Sequence, residues 1–391
     1  MPKFDFNNNR YARLWTDSDV RFLRSLIDES GLLRTNCGWW KTQFTKASNA
    51  TPVAADGTAT FTVQAKDRTA TPMMDMRAPL GDSVPLDYKG ISWYSATIPD
   101  FIAPGIVETA PQREYKERLF AQFGNDAFLI SEWMDDVQMQ IDAADQTLTN
   151  LGAQLISKGQ CSYNFGRGMK GALQKAEIPA ENFKKAGAKV WTAADCNLLS
   201  QMRTIEVDFR DTKGYNGPMK WQIPYKMYMD VVLKNKEVRE LVKQYYTLND
   251  KVFLDSMPVT EEIFNSVVYA NYPDLSPIEI VVEKQKDISW DNMTGKFVNG
   301  WDSKAAVLRP AGFAGEIQYT DILDVVMFEK YGNNSITKSF AQMEGGIYTL
   351  VNTTVPNGMY KEWHTDLIMS AVPSLNEFPY HVIVDTTSAN S

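Results

Sequence analysis

One stretch constrains this chain more than any other. From Glu114 to Ile156 there is no proline, and apolar residues return every three or four positions. Leu119, Phe120, Phe123, Ala127, Ile130, Trp133, Met134, Val137, Ile141, Ala144, Leu148, Leu151 and Leu155 form one stripe. That spacing matches the helical turn, so one face must be buried and the other wetted. Gly124 marks a place where the helix can divide or kink. Uninterrupted from 126 to 156, it would run about 45 Å at roughly 1.5 Å per residue. A coiled-coil partner is one use for such a helix. The stripe is bulky and aromatic early and small late, which fits better a brace lying across a sheet.

What precedes the helix is opposite in character. Residues 66–112 hold Pro72, Pro79, Pro85, Pro99, Pro104 and Pro111 and few apolar runs. Compact domains rarely keep so long a segment without a core of its own. It reads as a meandering surface loop or as an arm that packs on another subunit. Such an arm is unfavourable alone, because its ordering entropy needs apolar surface from elsewhere. Ala59, Phe61, Val63 and Ala65 lead into it, alternating with polar residues like a half-exposed strand. Residues 1–14 are polar and rich in Asn, an extended tail. Val20, Leu23, Leu26 and Ile27 then form a short helical face, capped by Thr16 and stopped by Gly31.

Beyond Gly159 helices and strands interleave. Residues 191–205 read as a helix capped by Thr192, 226–246 as a second, and Glu262–Val268 as a third, opened by Thr260. The segments 219–225, 278–283, 304–310, 345–353, 367–372 and 380–385 read as strands. Strands so scattered must pair at long range.

Hydrophobic residues make up 44% and charged residues 23%, enough apolar material for a sizeable core. The net charge of −8 argues against general affinity for DNA and leaves room for a local basic patch. Cys37, Cys161 and Cys196 have no metal-ligand spacing and give no disulfide framework. The first residues lack a secretory pattern, and no apolar run is long enough to span a membrane, so no membrane partner is expected.

Chemistry-bearing clusters are sparse. His381 sits in the last strand pattern and reads as structural; His364 lacks a nucleophile beside it. NFGRGMKG, 164–171, offers Arg167 and Lys170 among glycines, and reads as a turn rather than a phosphate loop. PAGFAG, 310–315, reads as a tight turn. Asp142 and Asp145 share a helix face without further ligands and read as a solvated edge. An enzyme using two carboxylates would have to recruit Glu108, Asp135 or Glu283, and nothing fixes a pair. No catalytic residue, metal site or cofactor site is therefore expected.

The order of these features resembles the major capsid proteins of tailed bacteriophages, in particular the family typified by the phage lambda major head protein. RFLRSLIDESGLLRT, 21–35, is similar to that family's short early helix. Residues 58–112 occupy the place of its extended loop, and the helix ending in LISKG that of its spine helix. VNGWDSKAAVLRPAGFAGEIQY, 298–319, is similar to its late strand, and MSAVPSLNEFPYHVIVD, 369–385, to its closing turn and strand. The resemblance covers nearly the whole chain, with 159–300 longer than in the family.

It implies the α+β tailed-phage capsid fold, also called the Johnson fold. Residues 1–57 would be an N-terminal arm, 58–112 the extended loop and 113–160 the spine helix of a peripheral domain. Residues 161–290 would be mainly an axial domain, and 291–391 a return to the peripheral domain whose sheet the last strand closes. The implied function is self-assembly into hexamers and pentamers of an icosahedral head shell, without enzymatic activity or cofactor. Partners would be further copies, separate scaffolding, portal and decoration proteins, and packaged dsDNA held without sequence-specific binding. The chain would be made in the host bacterial cytoplasm and reside in the virion. Inter-subunit contacts would come from Trp39, Trp40 and Phe44 in the arm, and Phe61, Val63, Met73, Met74 and Trp93 around the loop. Packing of these residues within their own chain is the alternative. A shell protein of an encapsulating compartment, or another phage part such as a tail protein, is the rival reading.

Overall fold

The structure is a computed structural model that describes residues 38–54, 57–66, 91–103, 105–112, 114–115, 118, 126–162, 164–165, 169–170, 174–193, 195–248, 259–281, 289–291, 296–298, 300–322, 337–357 and 360–389. The short helix expected near 16–31 lies outside these residues. In chain order, α1 (Trp40–Gln43) leads into β1 (Phe44–Lys46). β2 (Thr60–Lys66) and β3 (Ile91–Thr97) pair with each other; β4 (Phe101–Ile102) and β5 (Ile106–Glu108) precede the long helix α2 (Asp126–Lys158). Four two-residue strands follow, β6 (Gln160–Cys161), β7 (Asn164–Phe165), β8 (Met169–Lys170) and β9 (Gln174–Lys175), and then β10 (Phe183–Ala186). α3 (Leu198–Lys213), β11 (Met219–Pro224), α4 (Lys236–Leu248), α5 (Glu261–Asn271) and β12 (Ile278–Val281) alternate. β13 (Ser289–Asp291), β14 (Lys296–Val298), β15 (Ala305–Pro310) and β16 (Gly315–Tyr319) come next. The chain ends with β17 (Thr337–Met343), β18 (Tyr348–Asn357), β19 (Tyr360–Met369), β20 (Ala371–Leu375) and β21 (Val382–Ala389).

A mixed five-stranded sheet in the order β10-β21-β15-β11-β12 organises the rest. Every residue of β15 is buried. Its side chains alternate between two cores, as the two-residue period of a strand requires. Ala305 and Val307, with Ile383 of β21, join Ile141, Leu148, Leu151 and Leu155 of α2. Ala306 and Leu308, with Val382 and Val384, join Leu199 and Met202 of α3, Val238 and Val242 of α4, and Phe264 and Val267 of α5. A strand covered on both faces needs a near-continuous apolar run, which is what AAVL, 305–308, supplies.

Arg309 breaks that run and is buried nonetheless. Its guanidinium donates to Gln222 Oε1 (2.9 Å), Gln43 Oε1 (2.6 Å) and the carbonyls of Pro310 and Gly312 (3.0 Å each). Gln43 and Gln222 in turn donate to Glu279, which also pairs with Lys220 at 2.6 Å. Burial pulls Arg309 down to about 10, so it stays charged at neutral pH. The network joins α1 to β11, β12 and β15.

The second large sheet, β17-β18-β19 with β4 and β5 on its edge, is antiparallel throughout. At Ser370 the chain leaves it and enters the three-stranded sheet β1-β16-β20. LIMSAV is therefore two strands in two sheets. Gly315 permits this close pairing: a Cβ there would lie 1.7 Å from the Ser374 carbonyl oxygen.

Several expected boundaries move. The helix expected from 191 begins at Leu198, because Trp191 and Cys196 are buried in the turn before it. Thr192 does not cap it; the Glu237 carboxylate accepts the Leu199 N–H at 2.9 Å. The helix expected over 226–246 breaks before Lys236, where Asn235 Oδ1 accepts the Glu237 N–H at 3.0 Å. At the ends of the expected turn, β7 pairs antiparallel with β8, Asn164 opposite Lys170 and Phe165 opposite Met169.

β21 does not join the sheet of β17, β18 and β19; it inserts between β10 and β15. It does lie beside the long helix. His381 Nε2 donates to the carbonyl of Ile156 at 2.7 Å, one of the last-turn carbonyls that a helix leaves unpaired. Gly159, at φ 69°, ends the helix by donating its N–H to Leu155 O.

His381 is buried, and burial holds it down to about 4. A histidine lowered by folding stabilises the fold fully above its ordinary value and loses that contribution as pH falls. Between about pH 6.5 and pH 4 the wild-type chain is expected to lose about 3 kcal/mol relative to His381→Gln, by the linkage of proton binding to folding. Urea denaturation of both chains across that range checks it.

Candidate functional site

The candidate surface is built around the β2–β3 hairpin. In its register Phe61 faces Ala96, Val63 faces Tyr94, and Ala65 faces Ser92. Those pairs share one face, and Phe61, Val63, Ala65 and Tyr94 are buried in the core that contains α2. Tyr94 stacks edge-on against Phe378, with ring centroids 5.1 Å apart, and its hydroxyl accepts the Leu375 N–H at 2.8 Å. Burial pushes the Tyr94 hydroxyl well above its ordinary value, so it stays protonated. The opposite face is polar: Thr62 and Ser95 hydroxyls lie 3.0 Å apart, and Trp93 stands 63% exposed beside Gln64. The hairpin is thus rooted in its own chain, and residues 67–90 connect its two strands beyond Lys66 and Ile91.

The end of the arm is rooted as firmly. Phe44 lies against the backbone of α2 at Gly152, where a Cβ would come within 2.6 Å of its ring. Trp40 donates its indole N–H to Asp145 Oδ1 at 2.9 Å, and the Tyr348 hydroxyl donates to the same oxygen. Lys41 lies 3.7 Å from Asp145 and 3.0 Å from Glu344. Asp145 is therefore no solvated helix edge. It is buried and ties α1, α2 and β18 together, with the two neutral donors and the lysine satisfying its charge. Asp142, half-buried, accepts from Gln138 at 2.6 Å.

These contacts revise the expected inter-subunit set. Trp40, Phe44, Phe61 and Val63 are buried inside their own chain, because the helix and β20 already supply the apolar surface they need. Trp39 is half-buried and meets Trp301 edge-on at 6.3 Å. Met73 and Met74 lie outside the described residues. Trp93 alone of the described set is largely exposed. Sequence reasoning missed Ile102, 67% exposed on β4, Val107, 49% exposed on β5, and Tyr115, 63% exposed. Together with Trp93 they put four large exposed apolar side chains between residues 93 and 115. The proline-rich composition of that segment was the available signal.

Other candidates separate in space or fall outside view. His364 sits 3.6 Å from Glu362 on β19, and Glu108 pairs opposite Trp363 at the edge of the same sheet. Asp135 lies on α2, and Glu283 lies outside the described residues. Among the described residues no group of three His, Cys, Asp or Glu could hold a metal ion. No helix among them is long and apolar enough to cross a membrane.

No family model matches the chain, and no curated protein matches it in sequence. Solved structures do match. A crystal structure provisionally described as the capsid protein of an E. coli CFT073 prophage aligns over 96% of this chain and 99% of its own, at 11% identity and a TM-score of 0.50. A phage-related protein from Bordetella bronchiseptica RB50 aligns over 93% and 97%, at 13% identity and a TM-score of 0.43. A Cyanophage A-1(L) capsid chain aligns over 84% and 88%, at 11% identity and a TM-score of 0.42. The chain has a mixed α+β fold that resembles phage capsid-like structures at low identity.

Replacing Asp145 with Ala would leave the Trp40 and Tyr348 donors buried without their acceptor. The cost expected is about 3 kcal/mol of folding stability, against less than about 1 kcal/mol for Asp142→Ala. Denaturant titration of the two variants measures the difference.

Proposed function

We propose that the chain is a non-enzymatic structural subunit that assembles into hexamers and pentamers of an icosahedral shell around viral dsDNA. The observation that carries this reading is the end-to-end fold match to a protein described as a prophage capsid protein. The exposed apolar side chains between Trp93 and Tyr115 support it, because a monomer gains nothing by presenting them to water. In this reading α2 and the β17–β18–β19 sheet form the peripheral domain. Residues 161–290 form most of the axial domain, and the last strand returns to that domain's sheet. β2 and β3 with the residues between them are the extended loop, and its base is packed within its own chain. Scaffolding, portal and decoration proteins are separate chains, and the DNA is enclosed without sequence readout. No cofactor takes part.

Obligate contacts of this kind bury on the order of 2,000 Å² or more. Negative-stain microscopy and mass measurement of the purified chain are expected to show closed shells in the megadalton range. A monodisperse monomer at every concentration would sink the reading. The sharper variant joins Lys66 to Ile91, which face each other in register, by an Asn-Gly turn in place of 67–90. It keeps the buried stem, so its denaturation midpoint is expected to stay near wild type while closed shells disappear. Normal shells from this variant would contradict the role given to the loop.

A further inference from the structure

An open sheet has two outer edges, each a row of main-chain N–H and C=O groups that an added strand can pair with. In the sheet of β17, β18 and β19 the chain covers one edge itself, by laying β4 and β5 along β19. The other edge is β17, which among the described residues pairs with β18 alone. The remaining outer strands of the larger sheets are short or blunted. β1 has three residues, and β20 carries Pro373 among its five. β10 has Lys184 and Lys185 within four residues and a register shift after Lys185. β12 also has four residues, and the Glu261 carboxylate accepts its Ile280 N–H at 3.4 Å. β17 has none of these devices. It runs for seven residues, TKSFAQM, with no proline and no acidic residue, and it matches β18 at every position without a register shift. A long, regular edge of this kind invites a further strand.

The sequence of β17 suits a second copy of itself. Identical strands overlap most fully when they run antiparallel about a two-fold axis through the middle residue, Phe340. That register sets Thr337 opposite Met343, Lys338 opposite Gln342 and Ser339 opposite Ala341. Every residue of the strand then has a counterpart, and Lys338, its one charge, falls opposite a neutral residue. An axis at Lys338 would shorten the overlap and set the two lysines against each other, and like charges directly opposite are destabilising. The sequence therefore favours one register. An antiparallel pair of identical strands is isologous: it joins one copy to another and goes no further. The contacts that close a ring of subunits are heterologous. A shell built of rings needs both kinds, and an isologous strand pair is able to join one ring to the next.

We propose that β17 pairs antiparallel with β17 of a second copy, about a two-fold axis at Phe340, and so joins neighbouring rings of subunits. This deepens the self-assembly reading and rests on it. The test uses the full-length chain. Ser339→Lys with Ala341→Lys sets like charges opposite each other twice across the axis, and is expected to lower the yield of closed shells roughly tenfold by electron microscopy and light scattering. Ser339→Lys with Ala341→Glu changes the same positions, sets opposite charges across the axis, and is expected to assemble as wild type does. Thermal midpoints of both chains near wild type would show that the fold survives. Phe340→Cys reads the axis itself. Residues directly opposite in an antiparallel pair have Cα atoms about 4.5–5.5 Å apart, within reach of a disulfide. Diamide oxidation of Phe340→Cys shells is expected to give a covalent dimer on a non-reducing gel. Wild-type shells, in which Cys161 and Cys196 are buried, supply the baseline. A double-lysine chain that assembles as well as wild type overturns the pairing and leaves the self-assembly reading intact. So do equal losses in the two double variants at unchanged thermal midpoints, and so do Phe340→Cys shells that give no dimer above the baseline. Where a double variant melts well below wild type, the cross-link decides. Failure of the wild-type chain to assemble overturns both readings.

Discussion

Six consecutive buried residues, Ala305 to Pro310, sit between two separate apolar layers, and most of the molecule is arranged to cover them. A strand exposed on one face could be stabilised by a single packed layer. This one requires α2 on one side and α3, α4 and α5 on the other. Each fully buried Val or Leu contributes about 1.5–3 kcal/mol, so uncovering either face removes a large part of a typical domain's net stability. The requirement explains why β21 ends in this sheet. Its Val382 and Val384 extend one core while Ile383 extends the other. It also explains the ring nitrogen of His381 on Ile156: the strand entering the sheet passes the end of the helix that the sheet rests on.

The polar groups inside the molecule serve the same joint. Asp145 holds the end of the arm and β18 to α2, and Arg309 holds α1 to three strands. A buried charge is tolerated where several donors or acceptors surround it, and both sites meet that condition. Once these joints are made, Trp40, Phe44, Phe61 and Val63, first expected to seek a neighbour, are already covered. What stays at the surface is Trp93 of that expected set, together with Ile102, Val107 and Tyr115. In the proposed assembly these residues need no refolding to associate, which reduces the ordering entropy that binding has to offset.

Periodicity made the long helix legible, and Ile141, Ala144, Leu148, Leu151 and Leu155 are all buried as the stripe requires. The alternation at Ala59, Phe61, Val63 and Ala65 likewise identified β2 and its inner face. Periodicity says that a face is buried, and it does not say by what. Phe61 and Val63 were therefore open to a neighbour or to their own chain until the position of β20 was known. The role of Asp145 was illegible for a related reason: its partners Trp40 and Tyr348 lie 105 and 203 residues away. Long-range pairing also hid the switch at Ser370, where an unbroken apolar pattern crosses from one sheet to another.

Amide hydrogen exchange, read before and after assembly, bears most directly on the claim that the subunit is a finished core awaiting only surface contacts. In the dilute, unassembled chain the amides of β15 and β21 are expected to exchange only through global unfolding. Those of β2 that are bonded to β3 should be slow there as well, before any shell forms. Fast exchange of β15 in the unassembled chain, with protection arriving only on assembly, would contradict the account: the core itself would then be made by the neighbours.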